Sequence, residues 1–415
     1  MVLGFTFPGQ GSQRPGMGAP WVDHPSFELV AQASEVAGID VADLLLEADQ
    51  ATLTRTDRAQ LATFVLSLIV LDAAERVGIV PALCAGHSLG EYSALVAAGC
   101  LELEGGLHVV SERGSAMLEA AEQRPGTMVA VIGLENDGVE SACRRAEGEA
   151  WVANFNAPGQ VVIAGSVEDV ARAGELAKAL GAKRVIQMPV GGAFHTPFME
   201  PARDRLRKAL SETTFHPLEP AVVANVDARL HDDAAEWPGL LSSQLCSPVR
   251  WRQSLETMYA EGVRTFVELG PGGVLSGLAR RVLVSDETVA VAVATPADLD
   301  KLVGILAGGT LGGAGEQRAG EHFNMTERVV VAPSAGLFEP VPGLGGYLPG
   351  DDRSAARRVE IEVGGLVGTV GDTEVRSAFA GTLEGVLVLA GERVTAGQPV
   401  AWLRTTIGPP GTKAR

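Results

Sequence analysis

The stretch that most constrains this chain is Gly86-His-Ser-Leu-Gly90. A short apolar run, Pro81 to Ala85, leads into it and a helix-like pattern, Glu91 to Ala98, leads out, so the segment reads as strand, sharp turn and helix. Glycines two residues before and after Ser88 leave room for a strained turn that pushes the hydroxyl outward. The next amide, of Leu89, points to the same spot from a helix N-terminus. Ser88 is therefore the nucleophile candidate. In a chain with 51 glycines such a pattern can also arise by chance, so the other residues have to supply the rest of the chemistry.

A serine hydroxyl is a poor nucleophile near neutral pH and needs a base within hydrogen-bond reach and donors for the oxyanion. Of seven histidines, His195 stands out because it sits in a Gly-rich, Pro-limited loop, Gly192-Ala-Phe-His-Thr-Pro197. His24, His108, His216, His231 and His322 lie in polar surroundings, and the elbow turns His87 away from the hydroxyl. His195 is the candidate base, with a turn residue of no role as the alternative. Arg113, in the amphipathic stretch Leu103 to Glu122, offers a rigid bidentate fork for a carboxylate; its alternative is a surface ion pair with a nearby Glu.

Composition narrows the remaining classes. With 415 residues, 46% of them hydrophobic, the chain can build two or three domains with real cores. Four cysteines, far apart and without Cys-x-x-Cys spacing, suggest neither a zinc site nor a disulfide framework, and so a reducing compartment. The N-terminal Met1 to Phe7 has no basic region or long apolar core, and the apolar run Leu61 to Leu71 is too short to span a bilayer. A cytoplasmic location is expected. A net charge of -18 disfavours nucleic acid and anionic membrane as partners.

Along the chain, Val2 to Phe7 reads as a strand ending in the glycine loop Pro8-Gly-Gln-Gly-Ser-Gln13. No Gly-Lys-Ser/Thr follows it, so nucleotide binding is a weak reading. Helices are expected at Ser26 to Ala37, Arg58 to Gly78 and Leu103 to Glu122. From Gly126 the pattern predicts strand Thr127 to Ile132, helix Val139 to Ala146, and strands Trp151 to Asn154 and Gln160 to Ala164. Helix Val167 to Leu180 and strand Ala182 to Met188 follow, completing a ferredoxin-like β-α-β-β-α-β unit at about 126–190. Helix Arg203 to Ser211, strand Ala221 to Asn225, helix Trp251 to Gly262, strand Thr265 to Leu269, helix Val274 to Val282 and strand Val289 to Ala294 complete a larger α/β domain, residues 1–303. Gly- and Ala-rich sequence makes 304–327 a linker. Residues 328–405 read as short β runs without a helix, with a long loop from Pro340 to Arg357.

Six motifs share an order and spacing with one family. Pro8-Gly-Gln-Gly-Ser-Gln13, Gly86-His-Ser-Leu-Gly-Glu-Tyr92, Arg113, Asn154-Phe-Asn-Ala-Pro-Gly-Gln160, Gly192-Ala-Phe-His195 and Glu268-Leu-Gly-Pro-Gly272 resemble those of malonyl-CoA:acyl carrier protein transacylases. The resemblance implies a ping-pong transfer serving fatty acid or polyketide synthesis. Ser88 would take the malonyl group from malonyl-CoA and yield it to the phosphopantetheine thiol of an acyl carrier protein. It also implies His195 as general base, oriented by the backbone carbonyl of Gln244, and the amides of Gln10 and Leu89 as an oxyanion hole worth about 3 kcal/mol per donor. Arg113 would hold the malonyl carboxylate, and Phe194 would crowd an α-methyl group. No metal is implied.

The C-terminal segment resembles the two halves of a biotinyl or lipoyl carrier domain, at Ala332-Pro-Ser-Ala-Gly336, Ala378 to Val388 and Gly391 to Val400. Such domains carry their cofactor on a hairpin lysine, whereas this chain has Val370-Gly-Asp-Thr-Glu-Val375 there and no lysine between Lys301 and Lys413. No covalently bound cofactor is therefore expected. The expected architecture is an α/β-hydrolase-like core with an inserted ferredoxin-like subdomain and a C-terminal all-β barrel that docks a carboxylase or synthase subunit. An acyl-thioesterase of the same fold and a non-catalytic scaffold are the rival readings.

Overall fold

The computed structural model describes residues 2–306, 325–342, 359–362, 365–371, 373–377, 381–395 and 398–406. Two compact units, Met1–Leu299 and Asp300–Arg415, divide the chain. In the first, β1 (Leu3–Phe7) is followed by α1 (Leu29–Ala37), α2 (Val41–Leu46), α3 (Gln50–Thr54) and α4 (Thr56–Arg76). Sequence patterning missed α2 and α3, which are too short to show a period. Asp40 and Asp49 start them, each side chain accepting a hydrogen bond from an N–H three residues on. As its Leu, Ile and Ala content suggested, α4 is buried on nearly all sides from Ala59 to Leu71.

Next come β2 (Leu83–Gly86), α5 (Gly90–Ala97) and α6 (Leu103–Gln123). The following segment is β3 (Thr127–Ile132), α7 (Asn136–Arg145), β4 (Ala150–Ala157), β5 (Gln160–Gly165), α8 (Val167–Ala179) and β6 (Arg184–Gln187). Its four strands form a separate antiparallel sheet in the order β4-β5-β3-β6. One face is covered by α7 and α8, through Val139, Ala142, Val170, Ala173 and Ala177 against Val131, Val161 and Ile163.

The chain then returns through α9 (Glu200–Glu212), β7 (Val222–Val223), β8 (Leu230–His231), α10 (Trp237–Gln244), α11 (Trp251–Ala260), β9 (Thr265–Leu269), α12 (Val274–Val282), β10 (Val289–Val293) and α13 (Pro296–Leu306). The large sheet has the order β10-β9-β1-β2-β7-β8, parallel throughout except for β8 at the edge. Four of its parallel strands, β1, β2, β7 and β9, run toward one edge. The loops after Phe7, Gly86, Val223 and Leu269 therefore meet there, the usual place for a site in an α/β sheet. Their meeting is close: a Cβ on Gly90 would overlap the carbonyl of Phe7, and one on Gly86 would overlap the Gly90 carbonyl.

The second unit contains β11 (Met325–Val331), β12 (Gly336–Pro340), β13 (Val359–Ile361), β14 (Leu366–Val370), β15 (Thr373–Arg376), β16 (Gly381–Val386), β17 (Glu392–Val394) and β18 (Pro399–Thr406). They form two antiparallel sheets, β11-β18-β16-β13 and β15-β14-β12-β17. Both sheets contribute to one apolar cluster, with Val330, Ile361, Leu383 and Leu403 from the first and Phe338, Val367, Val375 and Val394 from the second. Residues 304–306 belong to α13 and 325–327 to β11, so the expected linker is shorter at both ends. Its remainder, 307–324, lies outside the described residues, as do 343–358 of the expected long loop.

Candidate active site

Ser88 lies between β2 and α5 with φ 54°, in the left-handed region that the flanking glycines anticipate. From the loop before α9, His195 reaches it, also at positive φ (62°). Ser88 Oγ and His195 Nε2 are 2.7 Å apart. His195 Nδ1 is 2.9 Å from the backbone carbonyl of Gln244, an acceptor only, so Nδ1 carries the proton and Nε2 presents its lone pair to the serine. Burial, and then the nearby Arg113 cation, push the His195 pKa down to about 3. The imidazole is thus neutral and able to accept a proton.

Arg113, on α6, is 1% exposed, which rules out a surface ion pair. Its Nη1 donates to Gln60 Oε1 (2.5 Å), and its Nη2 donates to Gln244 Oε1 (3.0 Å) and Ser88 Oγ (3.1 Å). The Tyr92 ring lies 5.3 Å from its guanidinium carbon. Every one of these acceptors is neutral, and Nε is buried without a partner among the described residues. A buried cation held by two amides and a hydroxyl is poorly compensated and available to an anion beside Ser88.

Gln10 follows β1, where its side-chain Oε1 accepts a hydrogen bond from Thr56 Oγ1 (2.6 Å). Among the described residues neither the Gln10 nor the Leu89 backbone N–H donates to a backbone or side-chain acceptor. Both stay available for a ligand oxygen. A cavity of about 260 Å³ opens over Ser88, with Gln10, Arg113, His195 and Phe194 in its lining. The α12 residues Val274, Leu275 and Leu278 and the smaller sheet's Met128, Ala130 and Val162 supply apolar walls. His87 also faces this cavity, yet its Nε2 bonds Asn156 Oδ1 at 2.9 Å and not the serine.

All seven residues singled out from sequence, Gln10, Ser88, Leu89, Arg113, Phe194, His195 and Gln244, belong to this one region. Sequence reasoning overlooked Gln60, Glu91 and Asn225. Glu91 is a carboxyl in the first turn of an otherwise apolar helix, 1% exposed, and Asn225 follows β7 at the sheet's carboxyl edge. Both positions could have been flagged on those grounds.

The comparisons with known proteins point the same way. Residues 4–305 match the acyl transferase domain family. The malonyl CoA-acyl carrier protein transacylase of Bacillus subtilis strain 168 is 40% identical over 294 residues, spanning 70% of this chain and 93% of that protein. An acyl carrier protein S-malonyltransferase from Vibrio cholerae aligns with a TM-score of 0.70 at 40% identity, covering 73% of this chain and 100% of that one. A malonyl-transacylase solved in complex with its type II PKS acyl-carrier protein also reaches a TM-score of 0.70, at 38% identity over 72% of this chain and 98% of that one. Identity of this level across nearly the whole length of these relatives means that the chain belongs to the malonyl CoA-acyl carrier protein transacylase family.

Proposed function

We propose that the protein transfers the malonyl group of malonyl-CoA to the phosphopantetheine thiol of an acyl carrier protein through a malonyl-serine intermediate, in fatty acid or polyketide synthesis. The observation that carries this reading is the 2.7 Å contact of Ser88 Oγ with His195 Nε2, with the Arg113 cation at the same hydroxyl. His195 Nε2 takes the Ser88 proton as Oγ adds to the thioester carbonyl. The N–H groups of Gln10 and Leu89 receive the oxyanion. Collapse breaks the C–S bond, and the CoA thiolate leaves with the proton from His195. The carrier thiol then reverses the sequence, giving its proton to His195 and releasing Ser88.

Thiolate is a good leaving group, so a histidine oriented by the neutral Gln244 carbonyl suffices and no carboxylate is required. Arg113 turns from its resting contacts to hold the malonyl carboxylate, and Phe194 limits space beside the α-carbon. The catalytic part is an α/β-hydrolase-like core, residues 1–303, with a ferredoxin-like subdomain at about 126–190. Residues 328–405 form a biotinyl- or lipoyl-like barrel without its lysine, and this barrel docks a carboxylase or synthase subunit. The two sheets around one core support the barrel assignment. No helix among the described residues is long and apolar enough to cross a membrane, which fits work in the cytoplasm.

Incubation with malonyl-CoA and a holo acyl carrier protein, followed by intact-mass analysis, tests the reading. Malonylated carrier protein and a malonyl adduct on Ser88 are expected, and neither should form with Ser88→Ala. Release of free malonate without carrier loading would identify a hydrolase. A full-length protein that forms no adduct would identify a scaffold.

A further inference from the structure

The backbone on either side of His87 lies where β2 has outrun its neighbour. The ladder between β2 and β7 consists of Cys84 beside Val222 and Ala85 beside Val223, and β7 then ends. A parallel neighbour facing residue 87 would donate its N–H to the Gly86 carbonyl and accept the Ser88 N–H. Among the described residues no backbone does so. Instead the side-chain carboxamide of Asn225 makes both bonds: Nδ2 donates to Gly86 O (2.7 Å) and Oδ1 accepts from Ser88 N (2.7 Å). These contacts also fix the orientation of the amide, since reversing it would set donor against donor and acceptor against acceptor.

Asn225 is itself held at both backbone groups. Its N–H donates to Glu91 Oε1 (2.6 Å), and its carbonyl accepts from Arg250 N (3.0 Å). The other carboxyl oxygen of Glu91 accepts from Gln244 Nε2 (2.6 Å), whose second partner is the Ser88 carbonyl (2.8 Å). Glu91 therefore ties the residue that braces Ser88 to the residue that orients His195.

We propose that Asn225 is a positioning residue for the transfer, its carboxamide replacing a strand backbone and pinning the left-handed Ser88 so that Oγ stays on His195 Nε2. The inference rests on the acyl-transfer reading above. It separates two demands on the elbow, because Asn225 touches the backbone of Ser88 and leaves the malonyl-binding Arg113 alone. Loss of the brace should therefore slow attack with little effect on donor binding. A misplacement of about 1 Å at a reacting atom costs on the order of 10²-fold in rate.

The test is the single-turnover rate of malonyl adduct formation on the full-length protein, measured by quench and intact mass over a range of malonyl-CoA concentrations. Asn225→Ala should lower the maximal rate about 10²-fold and leave the half-saturating concentration within about threefold. Asn225→Asp provides a signature that general destabilisation would not. An ionised carboxylate sets an oxygen against the Gly86 carbonyl, whereas a protonated one can donate to it and still accept from Ser88 N–H. Burial and the Asp227 carboxylate in the loop after β7 favour the protonated form, while Glu91 on α5, itself pushed up to about 8, is mostly neutral over this range. Of the nearby cations, Arg250 spends its Nε on the Val226 carbonyl (3.0 Å), and Arg113 is separated from Asn225 by Gln244 and Glu91.

The rate of Asn225→Asp relative to wild type should accordingly rise at least tenfold as pH falls from about 8 to about 5. The new carboxyl and Glu91 titrate as a coupled pair, so the ratio reports the pair and not either group alone. A folded Asn225→Ala with a rate within twofold of wild type, or an Asn225→Asp whose relative rate does not change with pH, overturns the proposal. If Asn225→Ala does not fold, the pH ratio of Asn225→Asp alone decides. If wild type forms no adduct, the transfer reading fails and this inference falls with it; a wild type that reacts beside unaffected variants sinks only the inference.

Discussion

His195 Nδ1 donates to the Gln244 main-chain carbonyl at 2.9 Å, so the imidazole is oriented by a neutral dipole and not by an anion. An anionic partner would raise the basicity of the ring, whereas here burial and the Arg113 charge outweigh the backbone hydrogen bonds to Gln244 and Ser247 and take the pKa to about 3. In acid the unfolded chain binds a proton at the ordinary histidine value while the folded chain resists it. Stability from this group is therefore present above about pH 6.5 and is lost as pH falls toward about 3. For the free enzyme, kcat/KM should stay level from about pH 7 to about pH 5, whereas an ordinary histidine would already have lost most of its base form. A stopped assay across that range decides it, and an acid limb centred near 6.5 would contradict the assignment of His195 as a buried base.

Arg113→Ala should lose malonyl transfer by about 10²-fold or more while acetyl transfer from acetyl-CoA is kept or increased. The reason is chemical: only the malonyl donor has a free carboxylate to replace the neutral acceptors that hold Arg113 at rest. Arg113→Lys should recover little, because one ammonium cannot reach Gln60, Gln244 and a ligand in the same fork geometry. Competition between the two donors, read by mass on the carrier protein, provides the ratio. Equal loss toward both would assign Arg113 a structural role.

Phe194 is 6% exposed and lines the cavity beside His195. Phe194→Ala should raise the use of methylmalonyl-CoA relative to malonyl-CoA, by about 10-fold if removal of the ring admits one methyl group. The same competition assay reads this ratio. No change would show that the wall limiting the α-substituent lies elsewhere, with Met117 and Met188 as the next lining residues.

Gly90→Ala should fail where many surface substitutions succeed. The added methyl would overlap the Phe7 carbonyl, which is backbone and cannot swing aside. A loss of about 3 kcal/mol, the upper end for overpacking, is expected from urea unfolding, together with loss of activity. Gly277→Ala, on α12 with no heavy atom near the added carbon, is the control and should be neutral or slightly stabilising.

Truncation after Gly309 keeps α13 whole, including the buried Leu302. Malonyl transfer to a free carrier protein should remain within about twofold of the full-length rate, since every group at the site belongs to the first unit. A folded truncated enzyme with collapsed activity would mean that the β unit helps to build the site.

The elbow was legible because its chemistry is local: two glycines, a serine and the change from strand to helix all lie within ten residues. The bracing of the elbow was not. Asn225 is 137 positions from the amide that it holds, and Gln60 and Gln244 are 53 and 131 positions from Arg113. No window of sequence contains such a pair. The burial of Arg113 was hidden for a related reason, since α6 has a mixed outer face and the helix that covers it is distant in the chain. Helix α10, for which no element was expected, is eight residues long with Pro238 in its first turn, where the missing N–H costs nothing. The long elements α4, α6 and α8 were found nearly whole because their apolar periods are sustained.

Ser88 and His195 both hold backbone angles that glycine would adopt without strain. Each carries a penalty of about 1–2 kcal/mol for its side chain. At His195 the cavity left by the buried imidazole and the unpaired Gln244 carbonyl would outweigh that relief, but Ser88→Gly removes only a small side chain and would give a protein of nearly unchanged heat resistance that is chemically inert. Directed evolution judged by melting temperature alone would therefore not reject a dead variant at the Ser88 codon, and any such campaign on this enzyme needs a turnover screen alongside the melting curve.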